Sequence, residues 1–205
     1  MAKLYFRYGA MNAGKSTLLL QTAYNYEEKF RNITLIKAQI DTKGDKKIIS
    51  RIGLSRKVDI LLNTDESLFS NKYIRKIKNS ACILVDESQF LSNNQIFELF
   101  VISKKLDIPV ICYGIRTNFQ SESFTGSKRL MELADEIEEI PTICNCGKKA
   151  RFNARIINGK YVSSGDTIAI DDNENIKYES FCGKCYIDKV LIGNADISNE
   201  ILQNI

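Results

Sequence analysis

The chain has 205 residues, 44% of them hydrophobic, enough for one domain or one domain with an appendage and no need of disulfide staples. A net charge of +4 is too weak to argue for a nucleic-acid partner. No run approaches the ~18 apolar residues of a membrane span, and the first strand starts too early to leave room for a signal peptide, so a cytoplasmic setting with six reduced cysteines is expected. With no histidine, Ser-His-Asp, Cys-His and His-ligated metal chemistry are excluded, and any base must be a carboxylate, Lys or Tyr.

Leu4-Tyr5-Phe6-Arg7-Tyr8 reads as a strand. It runs into Gly9-Ala10-Met11-Asn12-Ala13-Gly14-Lys15-Ser16-Thr17 and then a helical stretch over 18–30. Strand, G-x-x-x-x-G-K-S and helix together are the spacing of a phosphate-binding loop. Gly9 and Gly14 permit a tight turn whose N–H groups cradle phosphate oxygens, and the helix adds the positive end of its dipole. Lys15 would reach the β- and γ-phosphates, and the Ser16 hydroxyl would sit on Mg²⁺.

A second strand is expected at 33–37, followed by a charged, aperiodic stretch over 39–57 that reads as a solvated loop. Asp41, Thr42, Lys43 and Arg51 lie just past a strand end, where ligands of parallel sheets gather. A third strand is expected at 58–62, then a helix capped by Asp65 and running to Lys78. Ala81-Cys82-Ile83-Leu84-Val85 reads as a central strand buried on both faces. It ends in Asp86-Glu87-Ser88-Gln89-Phe90, where Asp86 can reach Mg²⁺ and Glu87 is free for chemistry. A helix over 95–106, a strand over 109–114, an irregular loop with Phe119 and Phe124, and a helix over 127–140 complete an alternating β/α pattern. Cys82 and Cys112 fall inside apolar strands and read as core residues. The fold class is α/β, a P-loop RecA-like parallel sheet with helices on both faces.

The last third differs. Cys144-Asn145-Cys146 and Cys182-Gly183-Lys184-Cys185 are two close pairs whose four thiolates suit a structural, tetrahedral Zn²⁺. That zinc would anchor a long excursion over 148–181, containing strand-like Ile156-Ile157 and Thr167-Ile168-Ala169-Ile170. A pinned excursion of that length suggests a lid. The expected organisation is an ATP-binding α/β domain over 1–140, a zinc-anchored lasso over 141–192, and a tail over 193–205.

Together these residues resemble the thymidine kinase family of the zinc-containing, RecA-like type. The resemblance rests on the phosphate loop, Asp41-Thr42-Lys43, Asp86 to Phe90, Asn118-Phe119-Gln120 with Phe124, Leu133-Ala134-Asp135, and the cysteine pairs enclosing Lys177-Tyr178. It implies transfer of the ATP γ-phosphoryl to the 5′-hydroxyl of thymidine, and of deoxyuridine as well. Glu87 would be the general base, Ser16 and Asp86 the Mg²⁺ site, and Gly9 to Thr17, Asp41, Thr42, Lys43, Asp86, Ser88 and Gln89 the ATP site. Met11, Phe90, Phe119, Phe124 and Tyr178 would wall the thymine pocket, with backbone contacts from Ile168, Ala169, Ile170, Asp171 and Asp172. It further implies a homotetramer inhibited by dTTP, without nucleic-acid or membrane partners.

This chain departs from that family where Lys43 stands in place of arginine, turning a bidentate phosphate clamp into a point charge, with Arg51 nearby in sequence. Asp171-Asp172 replace a pair of glycines, and the first cysteine pair is C-x-C. Two other readings use the same Asp86-Glu87: a RecA-like ATPase with a zinc ribbon that binds nucleic acid, and a nucleotide sensor without activity. Both leave Phe119, Phe124 and the lasso without a role, and the chain lacks the basic aromatic stripe that stacks a nucleic-acid strand.

Overall fold

In the first strand, β1 (Leu4–Tyr8), Leu4 and Phe6 are buried while Tyr5 and Arg7 face the other way, the two-residue alternation of a strand between two layers. The computed structural model describes residues 1–39, 46–166 and 176–194. After β1 come α1 (Lys15–Glu27), β2 (Ile33–Ala38), β3 (Lys47–Ile49), β4 (Ser55–Lys57), β5 (Ile60–Leu62) and α2 (Ile74–Lys78). Then follow β6 (Cys82–Asp86), α3 (Asn93–Lys105), β7 (Val110–Gly114), α4 (Thr125–Leu133) and β8 (Glu136–Glu139). Six of these strands form one parallel sheet in the order β5-β2-β6-β7-β1-β8.

Alternation along the strands divides the core in two. Leu4, Phe6, Ile36, Ile83, Val85, Val110 and Cys112 pack with Ile96, Leu99 and Ile102 of α3, Leu130 of α4 and Ile77 of α2. Leu35, Cys82, Leu84, Ile111 and Tyr113 pack on the opposite face with Leu19, Leu20 and Ala23 of α1. β6 and β7 are buried at every position, as a continuous apolar run between helical layers requires. Cys82 and Cys112 are core residues, and burial raises both thiol pKa values, Cys82 to about 11.

Three expectations are corrected. The stretch expected as a solvated loop contains an antiparallel hairpin, β3 with β4, which buries Ile48 and turns at Gly53 with φ 88°. The helix expected from Asp65 to Lys78 shrinks to α2, preceded by Tyr73 rather than capped by Asp65. Side chains of α3 bind the intervening backbone instead. Gln95 Nε2 donates to the carbonyls of Asn63, Thr64 and Glu66, and Glu98 accepts from Leu68 N–H at 2.7 Å. The helix expected over 127–140 stops at Leu133, and β8 follows as an edge strand beside β1. Ala134 is extended, and Asp135 exchanges bonds with Leu4: its N–H donates to Leu4 O, and its carboxylate accepts Leu4 N–H. Non-local pairing outweighs the local helical period.

The chain divides into two compact units. The first comprises Met1–Tyr8, Gly14–Arg116 and Phe124–Ile140; the second comprises Gly9–Ala13, Thr117–Ser123 and Pro141–Ile205. The second unit therefore includes two segments that precede the expected boundary at residue 140. It contains the short antiparallel pair β9 (Thr142–Ile143) and β10 (Lys149–Ala150). Next to these come a three-stranded antiparallel sheet, β12-β11-β13, of β11 (Phe152–Ile157), β12 (Lys160–Val162) and β13 (Ile176–Phe181), and then α5 (Gly183–Tyr186). Its core joins Ala150, Ala154, Phe181, Tyr186 and Val190 to Cys144 and Cys182.

Candidate active site and cysteine cluster

The loop after β1 takes its shape from two left-handed residues, Asn12 at φ 68° and Gly14 at φ 77°. Gly9 is buried without needing a positive φ. Ala13 N–H donates to Ala10 O at 3.3 Å, and Leu18 N–H donates to Gly14 O at 3.0 Å as α1 begins. α1 has no side-chain cap and no acidic residue in its first turn, so the positive end of its dipole is not offset from within the helix itself. Lys15, Ser16 and Thr17 fill that first turn, all half-buried.

In the first unit β6 delivers Asp86 to its carboxyl end, 5% exposed. Burial first, and the neighbouring Glu87 second, push the Asp86 pKa up to about 7, opposed by Lys37 and Lys15. Lys15 is shifted the other way, its pKa lowered by burial and by Arg51 against the attraction of Glu87 and Asp86. Lys37 lies opposite Asp86 in the β2–β6 register, a lysine within an apolar strand whose significance appears only once the pairing is known. Arg51 belongs to the turn between β3 and β4.

Glu87 breaks the strand by entering the left-handed region at φ 52°, ψ 37°, which is costly for a residue with a side chain. The next residues brace it. Gln89 Nε2 donates to Glu87 Oε2 at 2.5 Å, Ile115 N–H donates to Gln89 Oε1 at 3.2 Å, and Ser88 Oγ donates to Tyr113 O at 2.9 Å. Ser88 and Gln89 are buried, with their polar groups spent on this turn. A Cβ at Gly126 would lie 2.4 Å from Ser88 O and 2.9 Å from Gln89 O and Leu91 O, so only glycine lets α4 seat against the turn. Just before α4, the Phe124 ring meets Phe90 edge-on with centroids 5.3 Å apart.

In the second unit Phe119 sits in a loop closed by Asn118, whose Oδ1 accepts the N–H groups of Gln120 and Glu122 at 2.9 Å each. The Arg155 guanidinium lies 3.8 Å above the Phe119 ring centroid, and Tyr186 Oη donates to Phe119 O at 2.5 Å. Arg155, 2% exposed, also donates to Tyr178 Oη at 2.9 Å and to Asp166 O at 2.6 Å. Met11 N–H donates to Asn153 Oδ1 at 2.8 Å. Arg155, Asn153 and Tyr186 escaped the sequence reading; the one signal for Arg155 was a charge inside the apolar run of β11. Asp41, Thr42, Lys43, Ile168, Ala169, Ile170, Asp171 and Asp172 lie outside the described residues.

The four cysteines converge. All four Sγ atoms lie within 4.8 Å of one another, and Cys146 and Cys182 are 3.6 Å apart. Tetrahedral zinc with bonds of about 2.3 Å sets its sulfurs about 3.8 Å apart, so this cluster could hold zinc. Two turns present the thiols. Gly147, at φ 84°, follows the first pair and donates to Cys144 O, while Tyr186 N–H donates to Cys182 O across the second. Against the effect of burial, the N–H groups of Cys146 and Cys182 draw the Cys144 pKa down, and that of Cys182 falls too. Hydrogen bonds with Cys146 and Cys182 push Cys185 up to about 12, so without a metal the cluster shares protons among its sulfurs. C-x-C spacing thus brings Cys144 into the cluster with the other three.

Residues 2–186 match the family described as thymidine kinase. The thymidine kinase of Haemophilus influenzae strain Rd is 47% identical over 193 residues, covering 92% of this chain and 98% of that protein. That of Shewanella oneidensis is 45% identical over 186 residues, covering 90% and 96%. Superposition on the structure of Bacteroides Pif1 bound to ssDNA spans 67% of this chain and 38% of that one at TM-score 0.36 and 14% identity, too distant to bear on function. Among the described residues, no helix is long and apolar enough to cross a membrane.

Proposed function

The chain belongs to the thymidine kinase family, hence to the nucleoside kinases, and on that footing we propose that it transfers the γ-phosphoryl group of ATP to the 5′-hydroxyl of thymidine, with deoxyuridine as a second acceptor. The observation that carries this reading is Glu87, a carboxylate held in a left-handed turn by Gln89 at the end of a central strand, in the field of the phosphate-loop lysine. Glu87 accepts the 5′-hydroxyl proton as that oxygen bonds to the γ-phosphorus and the bond from the γ-phosphorus to the β–γ bridging oxygen breaks, releasing ADP. Lys15 and the N–H groups from Gly9 to Thr17 hold the phosphates, with Asp41, Thr42, Lys43 and Arg51 supplying further contacts. Ser88 and Gln89 serve the ATP site through the turn they brace.

Ser16 and Asp86 would hold Mg²⁺. Their oxygens are the hard donors it takes, and a carboxylate as poorly solvated as Asp86 gains from a bound cation. When bound, the ion neutralises charge on the transferring phosphates. Zinc is the metal assigned to the cysteine cluster, in a structural role: four thiolates leave no open position. Its contribution to recognition runs through Tyr186, which follows the second cysteine pair and holds the Phe119 carbonyl. By the family resemblance, Met11, Phe90, Phe119, Phe124 and Tyr178 are the side chains proposed for the thymine, with Ile168, Ala169, Ile170, Asp171 and Asp172 proposed as backbone contacts. Cytoplasmic location, a homotetramer and inhibition by dTTP complete the reading.

Purified protein with radiolabelled ATP, Mg²⁺ and thymidine should yield labelled dTMP, and deoxyuridine should be labelled more slowly. Label released only as free phosphate, and more of it with single-stranded DNA, would replace this reading with the nucleic-acid-dependent ATPase.

A further inference from the structure

Asn153 and Ser180 face each other across β11 and β13, directly opposite in register. Side chains at such paired positions project from the same face of the sheet. Between them they take both backbone polar groups of Met11: its N–H donates to Asn153 Oδ1 at 2.8 Å, and its carbonyl accepts from Ser180 Oγ. Asn153, 3% exposed, also donates from Nδ2 to Thr117 O at 2.9 Å, at the start of the loop that carries Phe119. One buried carboxamide thus joins three segments distant in sequence: the phosphate loop, the aromatic loop and the cysteine-anchored sheet.

The residue after Met11 is Asn12, held at φ 68°. A side-chain-bearing residue leaves that region readily unless its neighbours are fixed. A phosphate loop works through the directions of successive N–H groups, so whatever fixes Met11 fixes the ligand geometry of Met11 to Ala13. We propose that Asn153 and Ser180 are positioning residues for the phosphate loop, and that through Asn153 and Thr117 the ordering of the nucleoside-side loop tightens ATP binding. Loop 117–123, β13 with Tyr178, and Gly9–Ala13 belong to one compact unit, so nucleoside binding and loop geometry share a scaffold. The coupling is reciprocal: ATP strengthens thymidine binding by the same factor. This inference rests on the phosphate-loop and thymidine readings above.

The test is titration calorimetry with the Mg²⁺ complex of a non-hydrolysable ATP analogue, with and without thymidine, on the wild-type protein, Ser180→Ala, Ser180→Thr and Asn153→Asp. Thymidine should tighten analogue binding to the wild type. Ser180→Ala should weaken analogue binding roughly fivefold to tenfold, with metal content and affinity for thymidine alone retained. Ser180→Thr, which keeps the hydroxyl, should restore it. Asn153→Asp keeps an acceptor for Met11 but sets a buried carboxylate against Thr117 O, so it should weaken analogue binding by itself and also lose most of the enhancement by thymidine. Wild-type analogue affinity in Ser180→Ala, or full enhancement in Asn153→Asp, overturns the inference. Should Ser180→Ala shed its metal, Asn153→Asp decides alone. A wild-type protein that binds neither analogue nor thymidine instead sinks the kinase reading beneath it.

Discussion

The two units treat buried charge in opposite ways. At the carboxyl end of the parallel sheet, Asp86 is pushed towards its neutral form, Lys15 towards its own, and Glu87 occupies a backbone region that side chains avoid. In the other unit Arg155 is equally buried, yet it has an aromatic face, a phenolic oxygen and a carbonyl arranged around it. The contrast fits the proposed ligands. A site for polyphosphate and metal is completed by the charges it receives, so its own groups are left poorly solvated until then. A site for a neutral base has no such charges arriving and must be finished in advance, with its cation already matched.

Removing the proposed base should separate the two most sharply. Glu87→Gln should lower kcat by roughly 10²–10⁴-fold while nucleotide affinity, thymidine affinity and metal content stay near wild type. Near-normal turnover would take the base away from Glu87. The converse experiment breaks the other unit: Cys182→Ser should release the metal and raise the KM for thymidine by about tenfold or more, because Tyr186 then loses its hold on Phe119. Full thymidine affinity in a metal-free protein would uncouple the cluster from recognition. Smaller again, Gly126→Ala drives a methyl into the carbonyls of Ser88, Gln89 and Leu91, and should cost about 1–3 kcal/mol in chemical denaturation with a several-fold loss of kcat. An unchanged KM for thymidine would confine that damage to the Glu87 turn.

The smallest effect lies away from both sites. Glu66 accepts hydrogen bonds from Lys72, the Asn63 N–H and Tyr73, and with the Lys72 bond as the largest cause its pKa falls to about 2 despite partial burial. A depressed carboxylate stabilises the fold above its unfolded pKa of 4.5, and that stability drains away as the pH drops towards 2. Glu66→Gln should therefore cost about 1–2 kcal/mol at pH 7, discounted for the exposure of Lys72, and flatten the acid limb of a melting-temperature profile. Parallel acid limbs for variant and wild type would show that Glu66 contributes nothing there.

How far the sequence carried these conclusions depended on the range of the interaction. β6, β7 and the phosphate loop were legible because their signals are local: unbroken apolar runs, and glycines at fixed spacing. The cysteine cluster was legible from ligand type and pairing. What was not legible was decided across the chain. Leu133 could have continued its helix, but Asp135 found Leu4 and made an edge strand instead. Residues 63–68 were expected to enter a helix, but Gln95 and Glu98 satisfied their backbone from a neighbouring element. Asn153 and Ser180 carry no motif at all, and only the register of β11 against β13 makes them a pair.

That same dependence on range has a consequence during synthesis. β1, which leads into the phosphate loop, lies between β7 and β8, with Leu4 opposite Val110 and Tyr5 opposite Glu136. At translation rates of about 5–20 residues per second, β1 emerges from the ribosome and waits roughly 7–27 s for its second neighbour. Through that interval Leu4 and Phe6 are an unpaired apolar edge, open to a chaperone or to another nascent chain. Slower decoding between the codons for β1 and β8 should lower the soluble yield of this protein while leaving the folded enzyme unchanged.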